Sequence, residues 1–172
     1  MDVRIAFRIS VTVAALWLGA SASALADCKG AATLEGIALP PEKLALRKGA
    51  FEELCNKRGG DLVDGGDSAL KARLTAPTKA IWPAPSTGRG APDAKKKKGP
   101  TVLVYIVEKS GEVSWLSILQ SSGSNSLDEM AARTRAKVRY EQSAQLDGMP
   151  VPIFVTEKVD LLRRDFISDK PL

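Results

Sequence analysis

The sequence predicts an α+β fold in which a small antiparallel sheet, in the order strand, strand, helix, strand, carries one helix on its face. A short helical, disulfide-stapled segment precedes it. Three observations carry this reading. Thr101–Val107 is a near-continuous β-branched and apolar run, as in a strand covered on both faces. Leu127, Met130, Ala131, Thr134 and Val138 fall on one helical stripe. Cys28 and Cys55 are the only cysteines of the chain, and their spacing is nothing like a C-x-x-C redox site.

The chain starts with a basic stretch holding Arg4 and Arg8. An apolar run from Ile9 to Leu18 follows, then small residues to Ala24-Leu25-Ala26. That order is the order of a cleavable secretory signal, so residues 1–26 are expected to be removed and the rest to reside in the periplasm. A retained inner-membrane anchor is the alternative, because Arg4 and Arg8 equally suit a cytoplasmic N-terminus. The strongly apolar part, however, ends well short of the roughly 20 residues that a spanning helix needs.

Residues 27–74 form the small helical segment. Glu42–Asn56 is expected to be helical, with Leu44, Phe51, Leu54 and Cys55 at helical spacings and Gly59-Gly60 as its stop. A second short helical stretch is expected at Asp67–Leu74. In an oxidising compartment Cys28 and Cys55 are expected to pair, contributing about 3–4 kcal/mol in the chain-entropy model; two free thiols are the alternative.

Residues 75–100 hold Pro77, Pro83, Pro85, Pro92 and Pro100 together with the run Lys95-Lys96-Lys97-Lys98, and read as a flexible connector. Its one apolar hook is Ala80-Ile81-Trp82. The ordered domain is expected over residues 101–162, with 163–172 a tail. Gly111 supplies the turn from Thr101–Val107 into the returning strand Glu112–Gln120. Ser126-Leu127-Asp128-Glu129 then reads as a capping box opening a helix. After the Asp147-Gly148 turn, Val151, Ile153, Val155, Val159 and Leu161 alternate with polar residues, and Pro152, lacking an N–H, places this last strand at a sheet edge.

Composition narrows the function classes. The chain has no histidine, which removes the commonest general base, the commonest metal ligand and every Ser-His or Cys-His nucleophile. Asp128 and Glu129 are adjacent at a helix start and are better used as cap and dipole partner. Asp61, Asp64 and Asp67 do not fit a Ca²⁺ loop and read as solvated. No enzyme, cofactor or metal is expected. The formal charge of +5 is concentrated in the first half, without the interleaved aromatics that nucleic-acid binding would favour. Lys95, Lys96, Lys97 and Lys98 instead suit contact with anionic cell-wall polymer or lipid head groups, with a solvated linker as the plain alternative.

From about Gly99 to Leu162 the chain resembles the C-terminal domain of the TonB family of periplasmic energy-transducing proteins. The residues that carry the resemblance are Lys109-Ser110-Gly111-Glu112-Val113, Ile118-Leu119-Gln120-Ser121-Ser122-Gly123, Leu127-Asp128-Glu129-Met130-Ala131-Ala132, Val138-Arg139-Tyr140-Glu141 and Asp147-Gly148-Met149-Pro150-Val151-Pro152-Ile153. The resemblance implies a non-catalytic module that binds a protein or peptide, such as a segment of an outer-membrane receptor, by adding it as a strand. The edge expected to do so is Val151–Leu161. Its candidate contacts are Val151, Ile153, Phe154, Val155, Thr156 and Lys158, of which Phe154, Thr156 and Lys158 are expected to point outward. Pairing with a second copy of the chain is the other use of such an edge. The family's long Pro-rich spacer and retained N-terminal helix are not matched, so a short inner-membrane transducer is expected only if residues 1–26 are kept.

Overall fold

The structure is a computed structural model that describes residues 28–82 and 98–160. The expected signal segment, Lys95, Lys96, Lys97, Leu161 and the tail lie outside the described residues. In chain order the elements are α1 (Pro41–Lys57), β1 (Val63–Asp64), β2 (Leu74–Thr75), β3 (Thr78–Ile81), β4 (Thr101–Val107), β5 (Val113–Gln120), α2 (Asn125–Arg135), β6 (Arg139–Gln142), β7 (Gln145–Leu146), β8 (Met149–Pro150) and β9 (Ile153–Val159). This is an α+β fold, and Cys28 and Cys55 form a disulfide.

The main sheet runs β1-β9-β4-β5. β4 pairs antiparallel with both β5 and β9, while the two-residue β1 joins β9 in parallel. Every residue of β4 is buried, which is what its unbroken apolar run requires of a central strand. Leu103, Tyr105 and Val107 pack on one face with Ala131 and Val138. Val102, Val104 and Ile106 pack on the other with Phe51, Cys55 and Phe154. The sheet is therefore sandwiched between α2 and α1, and burial on two sides supplies the core. Two short pairings, β2-β7-β8 and β3-β6, flank it.

The β4–β5 hairpin turns at Gly111, whose φ is +80°. A Cβ there would come within 2.0 Å of the Tyr140 carbonyl oxygen, so the position excludes any side chain. Across that close approach the Tyr140 N–H donates to the Gly111 carbonyl at 2.9 Å.

Three local expectations are corrected. Residues 68–73 form turns, not a helix: the Asp67 carboxylate accepts from the Ala69 N–H at 2.9 Å, a local bond that competes with helical pairing. The capping box at Ser126 does not form. The helix begins at Asn125 behind Ser124, with no side-chain cap bond, and Glu129 pairs instead with Arg133. Asp128 is drawn inward, accepting from Thr101 Oγ1 (2.6 Å), Ser121 Oγ (2.5 Å) and the Ser122 N–H (2.9 Å). Finally, the stretch expected as a connector from residue 75 starts as paired strand, because β3 has β6 to bond with.

Candidate functional site

Strand β9 pairs with β4 over its whole length, from Ile153 opposite Val107 to Val159 opposite Thr101. On its other side β1 covers only Ile153 and Phe154. The Gly65 N–H donates to the Phe154 carbonyl at 2.9 Å, and there the parallel pairing ends. Successive residues of a strand turn their backbone groups to opposite sides, so the carbonyl of Phe154 sets the register. Thr156 and Lys158 must likewise direct N–H and C=O away from β4. Among the described residues no strand meets them on that side.

The last strand is thus an interior strand at its start and an edge only from Val155 onward, which corrects the expectation of an edge beginning at Val151. Pro152 is buried, and its carbonyl accepts from the Val63 N–H at 3.0 Å; a parallel neighbour is accommodated there because Pro152 precedes the ladder and need only accept. Phe154, expected to face outward, is fully buried. Its ring lies 5.6 Å from Phe51 and 5.8 Å from Trp115, with the Arg47 guanidinium 5.2 Å from its centroid. The reason is α1, which covers that face of the sheet. Val151 is also buried and donates its N–H to the Ala144 carbonyl. Val155 and Thr156 are half-buried and Lys158 is exposed. Lys98 is exposed, and its N–H donates to the Ser122 carbonyl at 2.6 Å.

The outer edge of β5 is a poorer template. The β4–β5 register slips between Val104 and Ile106, and Trp115 there has a φ of +37°, a left-handed backbone that is uncommon for a large side chain and breaks a regular ladder.

A groove of about 1250 Å³ runs along the free part of β9. Val155, Glu157 and Val159 line one side of it, together with Ala131 and Arg135 of α2. Residues 33–37, Gly65-Gly66, Ala80 and Trp82 are among those that line it elsewhere. The wall at residues 33–37 has little regular structure of its own, and is pinned from behind. The Arg47 Nη1 donates to Asp64 Oδ2 at 2.8 Å and Nη2 pairs with Oδ1, both side chains being buried. Asp64 also accepts from the Ala31 N–H (2.7 Å) and the Gly66 N–H (2.8 Å). Arg47 Nε reaches Thr156 Oγ1 at 2.8 Å. One ion pair therefore ties α1, the N-terminal loop, β1 and β9 together, and the disulfide anchors the start of the same loop to α1.

A second polar cluster sits in the groove itself. Arg135 is only 5% exposed; it pairs with Glu157 and donates to the Tyr140 hydroxyl at 3.3 Å. The Tyr105 hydroxyl donates to Glu157 Oε2 at 3.2 Å. The Arg135 guanidinium lies 4.4 Å from the centroid of Trp82, a cation–π stack. Burial raises the Glu157 carboxyl above its ordinary value despite Arg135 and the Tyr105 bond. Burial, reinforced by the nearby Glu157 charge, pushes the Tyr105 phenol well above its usual value. The cluster thus joins one guanidinium and one carboxyl group to two phenol hydroxyls.

These residues were hidden by their company. Arg47 shares a helical stripe with Phe51 and Cys55, and Arg135 shares one with Leu127 and Ala131, so each arginine occupies a position four residues from an apolar neighbour. Glu157 likewise falls on the Val155–Val159 side of the strand alternation. A charge on an apolar stripe was the available signal. Asp61, Asp64 and Asp67 are not brought together: Asp61 pairs with Lys109 at 3.0 Å, Asp64 with Arg47, and Asp67 closes a turn. Among the described residues no group of side chains could hold a metal ion, and no helix is long and apolar enough to cross a membrane.

No family model matches the chain, and no curated protein does. Among solved structures, the solution NMR structure of the Pseudomonas aeruginosa TonB CTD aligns over 59% of this chain and 95% of that one, at 16% identity and a TM-score of 0.35. That degree of overlap assigns neither family nor function.

Proposed function

We propose that the chain is a non-catalytic periplasmic binding module that accepts an extended segment of a protein partner as an added strand along β9, in the manner implied by its resemblance to the TonB C-terminal domain. The observation that carries this is the backbone of Thr156 and Lys158, which no strand meets among the described residues, beside a groove. Unpaired N–H and C=O groups on a flat edge are a template for another backbone, and the groove leaves room for the side chains of the incoming strand. An outer-membrane receptor is the kind of partner the resemblance implies. Replacing Lys158 with a photo-crosslinking residue in exported protein is expected to trap a discrete envelope protein, while the same residue at Ser117, on the other edge, traps none. Equal capture at both positions, or a product containing only this chain, overturns the reading in favour of self-association or non-specific contact.

A further inference from the structure

The groove holds two buried donors that meet no acceptor among the described residues. Among the described residues, Arg135 Nε and Trp82 Nε1 are buried without a hydrogen-bond acceptor; Arg135 is more than nine-tenths buried, and the rest of its guanidinium is bonded to Glu157 and Tyr140. Both side chains line the groove, and the two are stacked within 4.4 Å of each other, guanidinium carbon to ring centroid. A buried donor left unpaired is costly, so sites that keep one commonly fill it with a ligand atom or a water.

We propose, resting on the strand-accepting reading of β9, that the groove selects an added strand carrying an Asn or Gln side chain opposite Arg135. An amide has the chemistry, on a stem longer than a Ser or Thr hydroxyl's, to meet all of the contacts on offer. Its carbonyl oxygen has two lone pairs, enough for the Arg135 Nε–H and the Trp82 Nε1–H, and its NH₂ can donate to Glu157, which accepts from Arg135 and Tyr105 but retains lone pairs. A carboxylate in the same place would set two anions on one cation in a half-enclosed groove. An aliphatic side chain would leave both donors unpaired.

The test uses the full chain and a panel of short, Lys-flanked host peptides of alternating Thr and Val. They differ at one central position, which is Gln, Glu or Leu, and binding is read by fluorescence anisotropy. The Gln peptide is expected to bind about tenfold more tightly than the Leu peptide, and more tightly than the Glu peptide. Trp82→Phe keeps a ring for the guanidinium to stack on but removes one donor. It should shrink the ratio of Gln-peptide to Leu-peptide affinity about threefold or more, whereas mere loss of packing would weaken both peptides alike and leave that ratio as it was. Equal binding of Gln and Leu peptides, tighter binding of Glu, or an unchanged preference in Trp82→Phe overturns the amide proposal and leaves strand addition standing. Failure of every peptide to bind overturns both.

Discussion

The ion pair behind the groove wall invites the most demanding test. Asp64→Ala removes a carboxylate that accepts four hydrogen bonds, two from Arg47 and one each from the backbones of Ala31 and Gly66. What remains is a guanidinium with no exposed surface, an acceptor at Thr156 Oγ1 and the ring of Phe154. Breaking a buried pair by deleting one partner costs about 3–5 kcal/mol, and this one joins four segments, so the upper half of that range is expected. Arg47→Met leaves Asp64 with its two backbone donors and keeps a flexible side chain over Phe154. It should therefore cost less. The double variant should fall short of the summed single losses by about 1–3 kcal/mol, because the second substitution removes a charge that the first left stranded. Urea unfolding followed by tryptophan fluorescence, with the disulfide intact, gives all four corners of the cycle. An Asp64→Ala loss below about 1 kcal/mol, or strictly additive effects, would mean that the pair is solvated and does not pin the wall.

Other consequences follow from single contacts. Phe154→Ala empties the space between Phe51, Trp115 and Arg47 and should cost about 3–5 kcal/mol in the same urea assay. Gly111→Ala must push a Cβ against the Tyr140 carbonyl from a positive φ, so a loss of more than about 1 kcal/mol is expected where an exposed turn would lose little. Cys28→Ser opens a disulfide spanning a sequence separation of 27 and should cost about 3–4 kcal/mol, with the largest gain in amide exchange at residues 28–37. Burial pushes the Asp128 carboxyl up, but hydrogen bonds from Ser121, Thr101 and Ser122 outweigh it and hold the group below its ordinary value. Such a group stabilises the fold above the unfolded pKa, and its contribution is lost as pH falls through the folded one. Asp128→Asn should therefore flatten the loss of stability between neutral pH and about pH 3, and an unchanged acid limb would refute the assignment. Glu157 has the opposite sign, since its raised pKa favours the folded state at low pH and that advantage fades as pH climbs through the raised value.

The parts of the fold that the sequence disclosed are those whose periodicity is local. Thr101–Val107 reads as a central strand because seven adjacent residues share one environment, and Gly111 and the cysteine pair each have a physical role visible from residue type. What stayed hidden depended on which distant element covers which face. Nothing in Val151–Val159 announces that α1 lies over Phe154, so strand alternation alone points that aromatic side chain outward. The short β1 was equally invisible, because two residues carry no period, yet it decides where the free edge starts. The groove's polar residues are inconspicuous in the sequence for a related reason. Charged residues are ordinarily solvent-facing, and only their place on the apolar stripes of α1 and α2 marks Arg47 and Arg135 as interior.

The most direct test of strand addition is amide hydrogen exchange in the full chain with and without the Gln-bearing host peptide. Backbone alternation predicts that the Thr156 and Lys158 amides become protected, while those of Val155, Glu157 and Val159, already directed at β4, do not change. Protection that falls instead on β5, or that spreads evenly along β9, would contradict the account.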